Sequence, residues 1–163
     1  MTPAGSRVSR RLLAVTLVGA LLGGALVGCG ALAREFRMEK EPADYGDVSS
    51  AVTDAVPRIV AVEDPERWRN GFGWALGLSF VTDSAEPFTA EELDAAVETI
   101  WQTLPWEPNS IRLIAGTSTP DGEPVDLRAA AEELSPLSAT DAGQGGVTLT
   151  GMSDRYGDGK EPE

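Results

Sequence analysis

Apolar and polar positions divide the chain into three stretches with different rules. Residues 12–33 form a run of 22 residues without a charge. From about residue 47 to Pro136, apolar residues recur at helical or strand spacing between turn signals. After Pro136 they become sparse. In the middle stretch, Val48, Ala51, Val52 and Ala55 share one helical face, and Pro57 stops that run. Residues 58–64 are short and β-branched, which predicts a strand. Residues 65–73 are polar and contain Asn70-Gly71, which predicts a loop. A second strand is expected over 74–81. Its Trp74, Leu76, Leu78 and Phe80 point to the core, and its Ala75, Gly77, Ser79 and Val81 form a small-residue face that is either closely packed or open to water.

The best-defined helix follows. Thr89-Ala90-Glu91-Glu92 is a capping box, and Leu93, Val97, Ile100, Trp101 and Leu104 make an apolar stripe, with Asp94 and Glu98 facing out and Pro105 as the stop. Residues 111–116 predict a third strand and 119–122 a turn. Residues 123–126 predict a short return, confined to an edge by Pro124. Asp126 is positioned to cap a helix over 127–134. Residues 137–163 are expected to be a Gly-rich polar tail with one short strand at 147–150. The fold class is therefore α+β: a small antiparallel sheet of three or four strands, two or three helices on one face, in the order α-β-β-α-β and then hairpin and helix. That order over 47–117 resembles the BON modules of bacterial envelope proteins, in order alone.

The first stretch sets the location. Arg7, Arg10 and Arg11 precede the uncharged run without an acid among them, and a single cysteine ends Leu26-Val27-Gly28-Cys29. Those four residues resemble the lipobox of bacterial lipoproteins, in which the cysteine is acylated and becomes the mature N-terminus. The resemblance implies a signal peptide over 1–28, lipid attachment at Cys29, and a domain held at the outer face of the cytoplasmic membrane. Residues 29–45 then read as a flexible tether, or alternatively as a short helix through Phe36 and Met38. The competing reading is an uncleaved single-pass helix. The run is long enough to cross about 30 Å of hydrocarbon, and Gly19-x-x-x-Gly23 and Gly24-x-x-x-Gly28 would suit helix packing. Ser9-Arg10-Arg11-Leu12-Leu13 also resembles a twin-arginine export signal, set against an ordinary basic n-region. The domain proper is expected over 46–136.

Composition narrows the chemistry. The chain carries 13 basic and 26 acidic residues, a net charge of −13, and removal of the three signal arginines takes it to −16. Such a surface repels nucleic acid and anionic lipid, so a hold on the membrane falls to acyl chains. There is no histidine, one cysteine, and lysine only at 40 and 160. Neither a Ser-His-Asp nor a Cys-His arrangement can be assembled from such a set. No cofactor motif and no Asp-x-Asp-x-Asp-Gly calcium loop is present. These features suggest a monomeric binding or scaffold module without catalytic or metal-ligating residues, against the alternatives of a carboxylate-dependent hydrolase or a membrane-spanning subunit. Within the domain, Arg67, Trp68 and Arg69 stand together in the polar segment before Asn70-Gly71. Arginine and tryptophan are the types enriched in binding hot spots, so these three are the candidate partner-binding residues, for an envelope protein or a wall polymer. The alternative is that Trp68 folds back onto the sheet edge.

The lipobox reading has a direct test. Mass spectrometry of membrane-extracted protein should find a diacylglyceryl-modified Cys29 at the N-terminus, and Cys29→Ser should accumulate full-length precursor. Intact peptides spanning residues 12–33 as the main species would favour the spanning helix.

Overall fold

The structure, a computed structural model, describes residues 43–119 and 122–159. The expected signal peptide over 1–28, Cys29 and most of the expected 29–45 tether lie outside the described residues. Nine elements follow in order: α1 (Val48–Ala55), β1 (Ile59–Asn70), β2 (Gly73–Thr82), α2 (Ala90–Thr103), β3 (Ser110–Thr117), α3 (Arg128–Glu132), β4 (Ser138–Gly143), β5 (Gly146–Thr150) and α4 (Met152–Tyr156). The fold is α+β. The order α-β-β-α-β expected over 47–117 is the order found.

The sheet differs from expectation in two ways. It has five strands rather than three or four, in the order β1-β2-β3-β5-β4, and it is mixed rather than antiparallel. β2 and β3 are parallel, with Ala75 opposite Ser110 and Thr82 opposite Thr117. The reason is the connection: α2 lies between the two strands and returns the chain to the end from which β2 began, which is how parallel neighbours are joined. The other pairs are antiparallel.

Burial is one-sided. Leu76, Leu78 and Phe80 of β2, Ile111, Leu113 and Ala115 of β3, and Val147 and Leu149 of β5 all join one apolar cluster with the helices. α2 supplies Leu93, Ala96, Val97, Ile100 and Trp101 to it. α2 begins where its capping box closes: the Thr89 hydroxyl accepts from the Glu92 N–H at 3.2 Å and the Glu92 carboxylate accepts from the Thr89 N–H at 3.0 Å. It ends as Leu104 turns extended ahead of Pro105. Burial tends to raise the Glu92 carboxyl, but the Thr89 N–H and the Arg58 guanidinium 3.1 Å away together hold it below its ordinary value. Arg58 also lies 4.6 Å from the Phe88 ring and donates to the carbonyls of Ser84 and Glu86, which fixes the loop leading into α2.

Several boundaries are corrected. The polar segment 65–73 is not a loop: β1 runs on to Asn70. The ladder breaks at Asp64 and Pro65, where the register shifts and Asp64 adopts a φ of 50°, and resumes at Glu66. A proline is tolerated there because β1 is an edge strand. The return at 123–126 is reduced to one bridge, Gly116 to Pro124. Asp126 does not cap α3 as an N-cap; its carboxylate accepts from the Arg128 N–H and side chain, which lower its pKa to about 2. The expected tail at 137–163 is part of the fold through Tyr156. Residues 138–143 form edge strand β4, which gives only Ala139 to the core and so shows no apolar alternation. The strand expected at 147–150 is the body of β5, which inserts between β3 and β4.

Asp94, expected to face solvent, instead receives the C-terminal helix. Arg155 donates to both its oxygens at 2.8 and 2.6 Å, and the Tyr156 hydroxyl donates at 2.5 Å. Trp101 Nε1 donates to the Gly157 carbonyl at 3.0 Å, and Met152 is buried alongside. The Arg155 hydrogen bonds hold the Asp94 carboxyl below its ordinary value; burial opposes them, and the Tyr156 bond and the Arg155 charge reinforce them.

A depressed carboxylate contributes stability that is complete above its unfolded pKa and is lost as pH falls through the folded one. The contribution of Asp94 should therefore fade as pH drops below about 3.8. Asp94→Asn should lower stability at neutral pH by roughly 1–3 kcal/mol and give a shallower acid-side decline in urea titrations. An unchanged acid slope would separate Asp94 from the pH dependence.

Candidate functional site

Among the described residues, no helix packs on the second face of the sheet; at the end near β1, Trp68 covers it and Ala75 and Ser110 are buried there. Its floor follows from strand alternation: side chains at Ala75, Gly77, Ser79 and Val81 of β2 point away from the helices, as do Arg112 and Ile114 of β3 and Thr148 of β5. The small-residue face read from β2 is closely packed at Ala75 and Gly77, under Trp68, and partly open at Ser79 and Val81. Two shallow depressions lie on it. One of about 480 Å³ is bounded by Asp64, Glu66, Gly77, Ser79 and Arg112. The other, of about 220 Å³, is bounded by Ser79, Val81, Ile114, Gly116 and Gln144. They meet at Ser79 and make one trough along β2 and β3.

At one end of the trough three side chains form a wall. Trp68 lies over Gly77, so closely that a methyl group on Gly77 would sit 3.0 Å from Trp68 Cζ3. A side chain at that position would push the ring aside by a few tenths of an ångström. The Arg112 guanidinium is 5.1 Å from the centre of the Trp68 ring and 3.5 Å from the Glu66 carboxylate. That ion pair is solvent-exposed and adds little to stability; it does place a cation and an anion beside an aromatic plane. Ser79, Thr148 and Thr140 extend the surface with hydroxyls, Thr140 and Thr148 being opposite one another across β4 and β5.

The three residues singled out in the sequence do not share a surface. They are in a strand, so their side chains alternate. Trp68 faces the trough. Arg67 and Arg69 face the helical side, where Arg67 lies 4.6 Å from the Trp74 ring and 5.4 Å from that of Trp106, and Arg69 lies 4.2 Å from Trp74. Trp74, expected in the core, is half-buried beneath these guanidinium groups. Cation–π stacking of this kind contributes about 0.5–2 kcal/mol per pair and covers the sheet end where the helices stop. Sequence reasoning missed Arg112 and Glu66. The available signal was Arg112 itself, a lone cation inside Ile111-Arg112-Leu113-Ile114, whose position in the alternation puts it opposite Leu113.

Among the described residues, no cluster of three or more His, Cys, Asp or Glu side chains could hold a metal ion. No helix among them is long and apolar enough to cross a membrane. Comparison of the chain with protein-family models, with curated proteins and with solved structures finds no match.

Trp68→Ala should expose the backbone at Gly77 and release Arg112. Because the ring is partly solvated, the expected loss is about 1–2 kcal/mol, below the 3–5 kcal/mol of a fully buried aromatic. A loss in that upper range, measured by urea titration, would make Trp68 a core residue instead of a wall of the trough.

Proposed function

We propose that this chain is an envelope lipoprotein, anchored through Cys29 at the outer face of the cytoplasmic membrane, whose domain is a binding module that takes its ligand on the helix-free face of the sheet. The observation that carries the reading is the pairing of a fully packed helical face with a trough that holds Trp68, Arg112 and Glu66 at its wall and small or hydroxyl-bearing side chains along its floor. An aromatic plane stacks on the C–H face of a sugar ring or on a peptide plane. A guanidinium grips carboxylate in a fork. Hydroxyls exchange hydrogen bonds with hydroxyls. Those chemistries suit a strand of wall polymer that carries hydroxyl and carboxylate groups. An open, shallow trough also suits an extended chain better than an enclosed small molecule.

The alternative of a carboxylate-dependent hydrolase draws less support. A general acid needs its pKa raised toward neutrality. Glu92, Asp94 and Asp126 are each displaced downward, with an arginine contributing in every case. The single-pass alternative differs in the anchor and leaves the trough reading intact.

The test is co-sedimentation with purified wall polymer. The wild-type protein should bind, and Arg112→Ala should weaken binding by about tenfold, the effect of one charge-assisted hydrogen bond. Glu132→Ala, on the helical side, should bind normally. Equal binding by the Arg112 and Glu132 variants would remove the trough from the site.

A further inference from the structure

At the end of the sheet where β1 turns into β2, one large side chain stands clear of the other described residues. Phe72 has a relative exposure of 107 %, against 50 % for Val60, the other exposed large apolar side chain among the described residues. It is held there by a fixed turn. Gly71 takes a φ of 61°, which suits glycine. Asn109 Nδ2 donates to the Asn70 carbonyl at 2.7 Å, the Asn109 N–H donates to the Trp74 carbonyl at 2.8 Å, and Asn70 Nδ2 donates to the Ser110 hydroxyl at 2.9 Å. The apex is thereby bolted to the start of β3, and it presents an apolar ring to water instead of folding it back.

The residues behind the apex are of one kind. Arg67 and Arg69 stack on Trp74, Arg67 also reaches Trp106, and Trp106 meets Tyr45 edge-on with ring centres 6.4 Å apart. Half-buried Trp and Tyr with arginine stems are the side chains that populate the boundary between water and lipid. The chain also comes into the domain here: Trp106 Nε1 donates to the Asp44 carbonyl at 2.8 Å. Residues 30–42 can reach at most about 45 Å in any conformation. The tether thus joins the domain at this end, and a lipid on Cys29 leaves it free to touch the bilayer.

We propose that the β1–β2 apex, with Phe72 at its tip and the Trp74–Trp106–Tyr45 group behind it, rests on the outer leaflet and orients the domain so that the trough runs away from the membrane. This rests on the reading of Cys29 as the anchor. Asp44, Asp47, Glu107 and Asp158 lie at the same end as Arg67 and Arg69, so the contact is not an electrostatic attraction to anionic headgroups. It is the partition of an apolar tip and its aromatic belt into the interface. One phenylalanine is a weak anchor alone. Covalent tethering raises its effective concentration at the bilayer, so weak affinity is enough to set orientation.

The test uses the mature lipidated protein, beginning at Cys29, in zwitterionic phosphatidylcholine vesicles. A polar environment-sensitive fluorophore is attached at Glu107→Cys, beside the apex, or at Ser118→Cys, at the opposite end of β3, and lipids brominated in the acyl chains act as quencher. The label at 107 should be quenched at least threefold more than the label at 118, and Phe72→Ser should remove most of that difference while the protein still floats with the vesicles. If the protein floats but both labels are quenched alike, or if Phe72→Ser leaves the difference intact, the docking proposal is overturned and the anchor stands. If the protein does not float, the anchor reading fails and the docking proposal falls with it.

Discussion

One-sided burial is the constraint from which the rest of the structure follows. Five strands offer two faces to a chain whose helices suffice for one. α2 carries a stripe of five buried side chains, and those of β2, β3 and β5 meet it. Once that face is closed, alternation leaves the opposite face with few apolar residues, of which Ala75 is buried beside Trp68 and Val81 and Ile114 are half-buried. Gly77, Ser79 and Thr148 are then in place by default, and a few larger groups, Trp68 and Arg112, give the surface its chemistry. The acidic balance fits this design. The edge strands β1 and β4 offer unpaired backbone groups to another copy, and a net charge of −13 opposes that approach.

The parts of the fold visible in the sequence are those where local chemistry and tertiary packing agree. The capping box at Thr89 and the stripe from Leu93 to Leu104 describe α2 because the same residues start the helix and bury it. The alternation from Trp74 to Phe80 describes both faces of β2. The edges were not visible, for a physical reason. β1 beyond Asp64 and all of β4 are edge strands that give few side chains to the core, so their sequences carry turn-like polar residues in place of alternation. The parallel pairing of β2 with β3 is set by where α2 lets the chain return, which no single segment encodes. The contact of Asp94 with Arg155 joins residues 61 apart and leaves no trace at either one.

The candidate site divides along the same line. Trp68 was identifiable as an unusual residue, but its grouping with Arg67 and Arg69 assumed a loop, in which neighbours in sequence share a surface. In a strand they do not. The true neighbours of Trp68 are Gly77 across one ladder and Arg112 two strands away, so the wall of the trough is a property of register. Arg67 and Arg69 are in turn explained by Trp74, whose ring would otherwise be bare at the sheet end.

Both ends of the domain leave from the same region. Gly46 lies against the Thr103 carbonyl and Pro105, and Gly159 lies against Glu107, so the first and last described residues flank one short segment after α2. The consequence is mechanical. A pull applied between the two ends of the chain would not shear the β ladders lengthwise, which is the direction in which a sheet resists most. It would peel α1 and α4 away from α2, first breaking the bonds of Trp106 to Asp44 and of Trp101 to Gly157. The sheet and its trough sit outside that load path, so tension on the domain would reach the helix-free face last.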